Sequence, residues 1–484
     1  MITAPMLEIA VVLLGTFVVL VEAFAGQIEK RALALTAIIG LSIVLIASFF
    51  LAPPPDHASG IWNFYTADAL AIFFKRFALV TTIFVLIMMI DYAPVVRQTI
   101  HGATQQSGLG EFFAIPIFTC AGLMWLVSAI DFIMIFVSLE LVTISFYVLV
   151  SFTRRNPATL EAGVKYLILS ALSTGFLVYG ITWIFGVTGQ TNVDLIVAAL
   201  TNPETERVPL LFGMLLVIVA LGFKIAAVPF QIWVPDVYQG APTPVTAFLS
   251  VGSKAAGFVV LLRVLRPFFM MPQMNRLLVI VAALTLLYGN LAALPQTNVK
   301  RLLAYSSIAH AGYLLIGIVS FSGNAVTFYL VAYLLMTILS FTVLVIVSQN
   351  AGEQIDDFNG LAKRSPFLAF AMLIAMISLA GVPFTAGFFG KFLIFDAAVR
   401  THQIALVLVG ILTVACGFYY YLKVVAAMYW QLPTRAEAIP ISWLSRGAMS
   451  ILIAAIIGLG IYPQPILNAF NPKNDRVALT STNH

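Results

Sequence analysis

Val208–Phe230 reads VPLLFGMLLVIVALGFKIAAVPF, and this stretch decides the architecture. Sixteen uncharged residues run from Val208 to Phe223 before Lys224 interrupts them, and Pro229 closes the run. A helix needs about 20 mostly apolar residues to cross the hydrocarbon of a bilayer, and this segment meets that demand. Two features set it apart from a lipid-facing helix. A charge at the centre of a span costs about 2.5–3.5 kcal/mol, and a proline removes a backbone donor that lipid cannot replace.

The rest of the chain is of the same kind. Hydrophobic residues make up 61% of the 484 residues, charged residues only 9%, and the mean hydropathy is +1.03. Soluble domains carry about 25% charged and about 45–50% apolar residues, so most of this surface must face lipid. Apolar segments of spanning length lie near 5–25, 33–52, 69–91, 112–129, 131–152, 160–187, 208–236, 243–265, 276–294, 301–321, 325–349, 366–397, 402–430 and 446–467. The expected fold is therefore an all-α polytopic membrane protein of about 14 transmembrane helices in a single membrane domain. The longest polar pieces, 53–68, 92–111, 188–207, 350–365 and the tail after Phe470, are too short for a soluble domain. The first apolar segment lacks a basic flank and runs nearly a full span, so it reads as a helix and not as a cleaved signal.

Several function classes are excluded. The net charge of +5 is spread thinly over short loops, which leaves no basic face for nucleic acid. Cys120 and Cys416 lie in apolar stretches without metal-ligand spacing and read as packing residues, so no metal, haem or iron–sulfur site is expected in this chain. Lys30/Arg31, Arg97, Arg154/Arg155, Lys300/Arg301 and Lys363/Arg364 fall on alternate loops, whereas Asp56, Asp194, Glu204 and Glu206 mark the intervening ones. The basic loops should face the cytoplasm, placing both termini on the opposite, periplasmic side. Lys75/Arg76, Arg263/Arg266 and Arg400 run against that assignment.

Two spans are interrupted. The 208–236 segment meets Pro229 and Pro235, and the 366–397 segment is broken by AGVPFTAGFFG from Ala380 to Gly390. Both breaks contain Val-Pro-Phe, at Val228–Phe230 and Val382–Phe384, which suggests an internal repeat. Broken helices in corresponding halves of a membrane protein point to a transport path, because freed backbone groups persist there only beside protein or water.

Around these breaks lie charges at depths where none is expected. Glu140 sits in IMIFVSLELVTISFYV, Lys165 in LEAGVKYLILS, Lys224 before the first break, Lys254 in FLSVGSKAAGFVVLL, and Lys391 just after the second break. Burial disfavours a lysine's charge and a nearby carboxylate restores it, so a lysine balanced between the two can exchange a proton. A buried pair that only fixes helix packing is the competing reading, and depth does not separate them. His310, in YSSIAHAGYLL, reads equally as a hydrogen-bonded core histidine or a proton carrier. Lys75 and Lys423 are expected to snorkel to the headgroups, and Asp131 to cap a helix. Trp430 and Trp443 should belong to interfacial belts, while Ser306 and Ser307 could serve either backbone or water.

The run ALGFKIAAVPFQIWVPDVYQGAPTPVTAFLSVGSKAAGF (Ala220–Phe258) resembles the central signature of the proton-pumping, antiporter-like subunits of respiratory complex I. FVSLELVTISFYVLV, LEAGVKYLILSALSTGFLVYG, NVKRLLAYSSIAHAGYLL, SLAGVPFTAGFFGKF and FYYYLKVVAAMY extend the resemblance from about residue 110 to 430. Within that family, Pro235–Pro242 looks like the subunit N type of NADH-quinone oxidoreductase, as does a lysine at 391 where the M type carries glutamate. The resemblance implies N-terminal helices over 1–110, two inverted five-helix repeats over 112–265 and 276–430, and a C-terminal helix and tail over 446–484. It further implies a proton relay in which Glu140 and Lys224 form an input pair modulated by Lys165, Lys254 passes the proton past His310, and Lys391 releases it.

The resemblance also implies that redox chemistry takes place elsewhere. NADH, FMN, iron–sulfur clusters and quinone would belong to partner subunits, with no cofactor and no quinone site here. The partners implied are other membrane subunits, of the M, J and K types, in a bacterial inner membrane. Gln231 departs from the pattern, since many relatives place histidine there. A cation–proton antiporter subunit, a hydrogenase-type subunit and a structural spacer of the membrane arm remain as alternatives.

Overall fold

A computed structural model describes residues 2–24, 29–52, 60–100, 109–200, 206–268, 271–433 and 437–469. Asp56, Glu204 and the tail after Phe470 lie outside the described residues. The long helices are α1 (Ala4–Phe24), α2 (Lys30–Ala47), α3 (Ala69–Ile100), α4 (Leu109–Ser128), α5 (Phe132–Val150), α6 (Pro157–Thr188) and α7 (Arg207–Ile225). A short helix α8 (Trp233–Gly240) leads into α9 (Thr243–Val264), α10 (Pro272–Ala293), α11 (Val299–Val319) and α12 (Gly323–Asn350). The half-helices α13 (Pro366–Ala380) and α14 (Ala386–Arg400) precede α15 (Ile404–Trp430) and α16 (Trp443–Ile461). Among the described residues, thirteen helices are long and apolar enough to cross a membrane. The α13–α14 pair fills the remaining segment of the fourteen read from sequence.

Local chemistry sets the ends. The side chains of Asp131, Asn156, Asn298 and Ser442 accept backbone N–H groups at the starts of α5, α6, α11 and α16, and Pro157, Pro272 and Pro366 occupy first turns where no donor is needed. Asp131 thus plays the capping role expected of it. Trp430 and Trp443 are exposed at helix ends, as interfacial residues should be. Three boundaries differ from the hydropathy reading. Helix α3 continues past residue 91 to Ile100, carrying Pro94 within it. Helix α7 ends at Ile225, so Pro229 falls in the turn that follows it and Pro235 within α8. Residues 188–207 include a helical turn at Val193–Ala199.

Helix α11 is buried except at Arg301 near its start, with α9 and α12 nearly buried, whereas α6 presents most of its surface outward. Small residues allow close crossings. At the α6–α7 contact, a methyl on Gly180 would lie 2.6 Å from the Gly213 carbonyl oxygen, and one on Gly213 would lie 2.9 Å from that of Gly180. Packing without a hydrophobic driving force favours such approaches inside membranes. One irregularity left no trace in the hydropathy: Leu249–Ser253 forms a π-helical turn within α9, directly before Lys254.

Both breaks are built alike. Helix α7 ends on Ala226 in the left-handed region (φ 65°), and α13 ends on Gly381 (φ 90°). The following N–H closes back on the helix in each case, Ala227 on Gly222 O at 2.8 Å and Val382 on Ile377 O at 2.9 Å. This is the Schellman pattern, which pairs carbonyls that a helix end otherwise leaves open.

Candidate functional site

Lys224 is buried on the last turn of α7. Its Nζ donates to Thr143 Oγ1 of α5 at 2.7 Å and to Ser170 Oγ of α6 at 2.9 Å. Glu140, half-buried on α5, accepts from Thr174 Oγ1 of α6 at 2.7 Å. Residues three or four apart share a helix face, so Glu140 and Thr143 lie together on α5, and Ser170 and Thr174 on α6. Carboxylate and ammonium therefore sit against adjacent turns of the same two helices, with hydroxyls in between. The expected Glu140–Lys224 pair is not a direct ion pair in this conformation.

Between Lys224 and α9 lies a cavity of ≈ 10 Å³ bordered by Thr143, Ser253 and Gly257. That is the lower limit for one water molecule beside Lys224 in this conformation.

Lys254, just past the π turn, is buried and donates to the Ser307 carbonyl at 2.6 Å and to the Ser307 hydroxyl. Its ammonium lies 5.5 Å from the centre of the Tyr333 ring, and Tyr333 bonds Ser250 Oγ at 2.7 Å. His310 on α11 is fully hydrogen-bonded, Nδ1 to the Tyr329 hydroxyl at 2.7 Å and Nε2 to the Tyr421 hydroxyl at 3.1 Å. Tyr421 in turn bonds Ser306. Hydrogen bonds thus run from Ser306 through Tyr421 to His310 and Tyr329, while Ser307, one residue on, serves Lys254. Ser306 and Ser307, undecided from sequence, serve side chains in this row.

Lys391 lies on α14, and its Nζ donates to the carbonyls of Leu379 at 2.9 Å and Ala380 at 2.8 Å, the last two residues of α13. A cation there meets the negative end of the half-helix dipole. Its ammonium is also 5.1 Å from the Tyr313 ring centre.

Lys165 is not part of this buried row. Its side chain is 40% exposed and pairs with Glu161 and Asp236, each at 2.7 Å, and Asp236 also pairs with Arg301 at 2.9 Å. The structure corrects Lys75 as well. It does not snorkel but is wholly buried and paired with Glu8 at 2.6 Å. Arg263 pairs with Asp68 at 2.7 Å. These two basic residues ran against the loop-charge pattern because they are neutralised inside the protein and are not loop charges. Lys423 is half-buried and reaches the Gln296 carbonyl at 3.2 Å. Gln231 lies buried between α7 and α8, its Oε1 without a hydrogen-bond partner. Sequence reasoning missed Thr143, Ser170 and Thr174, and the tyrosines 329, 333 and 421. Their one sequence signal is a polar atom within an apolar span, and that is common to most helices.

Residues 129–417 match the family described as NADH:quinone oxidoreductase/Mrp antiporter, transmembrane. The chain is 38% identical over 470 residues to the NADH-quinone oxidoreductase subunit N of Desulforamulus reducens, covering 96% of each protein. It is 40% identical over 472 residues to that of Trichlorobacter lovleyi, covering 95% of this chain and 94% of the relative. A chain in the structure of respiratory complex I from Thermus thermophilus with bound aureothin superposes with a TM-score of 0.81 at 30% identity, covering 96% of this chain and 98% of that one. A chain of the archaeal membrane-bound sulfane sulfur reductase shares the fold, with a TM-score of 0.82 at 23% identity and 96% coverage of both. End-to-end identity at this level, on the same helical frame, makes the chain a member of the NADH-quinone oxidoreductase subunit N family.

Proposed function

We propose that Lys224, Lys254 and Lys391, with Glu140 and His310, carry the protons that this membrane subunit of NADH-quinone oxidoreductase translocates. The carrying observation is the set itself: three buried lysines on α7, α9 and α14, each held by hydroxyls or carbonyls, with a Ser306–Tyr421–His310–Tyr329 hydrogen-bond chain starting one residue from the Ser307 that holds Lys254. Such ligands accept from an ammonium without a fixed negative charge, which leaves the proton transferable. Lys165 acts from outside the row, through Asp236 and Arg301 at the membrane face. The two similar breaks support assigning residues 112–265 and 276–430 as inverted repeats flanked by N-terminal helices and a C-terminal helix.

NADH oxidation and quinone reduction fall to partner subunits, which supply FMN and iron–sulfur clusters. This chain responds through its neighbours in the membrane, for which M, J and K types are the expected partners. The loop charges support a bacterial inner membrane orientation with both termini periplasmic. Moving one charge against 100 mV requires about 2.3 kcal/mol, comparable to changing one group's proton affinity by about two pKa units.

The test is to replace Lys224 or Glu140 with alanine in the assembled complex and measure proton pumping beside NADH–quinone turnover. Reduced pumping per electron is expected, and wild-type pumping in both variants would sink the relay assignment.

A further inference from the structure

The lysine row leaves one buried ionisable cluster unused. Glu8 on α1 and Lys75 on α3 have no exposed surface, and their charged ends lie 2.6 Å apart. The Tyr65 hydroxyl, just before α3, donates to Glu8 Oε1 at 2.9 Å and accepts from Lys75. The second carboxylate oxygen, Glu8 Oε2, is buried with no hydrogen-bond partner.

Two further ion pairs lead outward from this cluster. Asp68 pairs with Arg263 through both carboxylate oxygens, at 2.7 and 2.8 Å, with side chains 18% and 12% exposed. Three residues beyond Arg263, Arg266 pairs with Asp194 at 3.2 Å, with side chains 44% and 59% exposed. The three pairs form a series from interior to surface, at the face where α3 begins and α9 ends. Other groups acting on the inner pair are few. Asp68 and Arg263 act on Lys75, Cys120 of α4 lies near Glu8, and Arg76 turns away to Ser48.

Packing alone does not call for such a pair. Replacing a buried ion pair by neutral groups of similar volume is often neutral or stabilising, because two charges lose their hydration on burial. An oxygen left without a donor is costlier on an anion than on a neutral carboxyl, which brings the ionic and neutral forms of Glu8–Lys75 closer in energy. Tyr65, bonded to both, provides the bridge between them. We propose that Glu8, Lys75 and Tyr65 form a second proton-binding site, off the lysine row, that exchanges its proton during turnover with the face marked by Asp68–Arg263 and Asp194–Arg266.

The experiment uses the assembled complex with Tyr65→Phe, which removes only the bridging hydroxyl, and with Glu8→Gln combined with Lys75→Met, which leaves no net charge. Subunit content, the pH profile of NADH–quinone turnover and protons pumped per electron are measured. The expected result is normal content with a pH profile displaced by about one unit, the usual scale of a perturbed ionisable group. A double variant that assembles with wild-type profile and pumping overturns the proposal and makes the pair a packing element. Should the double variant fail to assemble, Tyr65→Phe decides: a displaced profile supports the site, and an unchanged one overturns it.

Discussion

Lys391→Met tests whether the second break is held together by its lysine or merely used by it. The ammonium satisfies two carbonyls at the end of α13, at 2.9 and 2.8 Å. Methionine has similar length and no donor, so both carbonyls lose this partner. Leaving a buried acceptor unpaired costs about 1–3 kcal/mol, hence about 2–6 kcal/mol for the two. Against this, the variant no longer holds a charge at bilayer depth, a relief of about 2.5–3.5 kcal/mol. The net effect lies between a gain of about 1.5 and a loss of about 3.5 kcal/mol, smaller than the about 5–15 kcal/mol that holds a typical fold. The subunit should therefore remain in the complex while transport through it fails. Quantitative mass spectrometry of the purified complex gives subunit content, and reconstituted vesicles give protons pumped per NADH oxidised. Loss of the subunit would refute the energy argument and make Lys391 a structural cap. Wild-type pumping with normal content would refute its place in the relay.

Gly387 abuts the Ser378 carbonyl so closely that an added methyl must push α14 off α13. Gly387→Ala should destabilise by about 1–3 kcal/mol or more, read as lower subunit content in membranes. For Asp236, burial opposes the charge, but Lys165 and Arg301 outweigh it and hold the carboxyl below its ordinary range. A depressed carboxyl contributes above its unfolded value, and the contribution is lost only as pH falls through the lower folded one. Between about pH 6 and 9 Asp236 therefore stays ionised, and the stability it contributes should be constant there, read as a pH-independent difference in thermal unfolding between the wild-type complex and Asp236→Asn. A difference that changes across that range would contradict the assignment.

Much of this was legible because a membrane makes few demands and makes them loudly. Spans appear as apolar length, and Lys224, Lys254 and Lys391 stand out because charge is costly in hydrocarbon. The ligands that make them tolerable were not legible, since Thr143, Ser170 and Tyr421 resemble any polar residue that bonds its own helix. Lys75 misled for a related reason. Near a helix start, sequence suggests an escape to the headgroups, and only the folded chain brings Glu8 to it from 67 residues away. The π turn before Lys254 is a backbone event with no compositional mark. Lys165 was misplaced because counting turns gives depth along a helix, not which side of it faces outward.

The lysine row has one property that follows from its ligands. Lys224, Lys254 and Lys391 are held by hydroxyls and carbonyls, and among the described residues no carboxylate lies within ion-pair distance of any of them. The row thus resembles a conductor doped with carriers of one sign, with Glu140 as a counter-charge set off from Lys224 by intervening hydroxyls. Two ammonium groups about 10 Å apart repel by about 1.7 kcal/mol at an effective dielectric of about 20. On the proposed relay, each stored proton would hinder the next at such a separation. Dissolved salt screens such buried charges poorly, while the membrane voltage acts on every one of them.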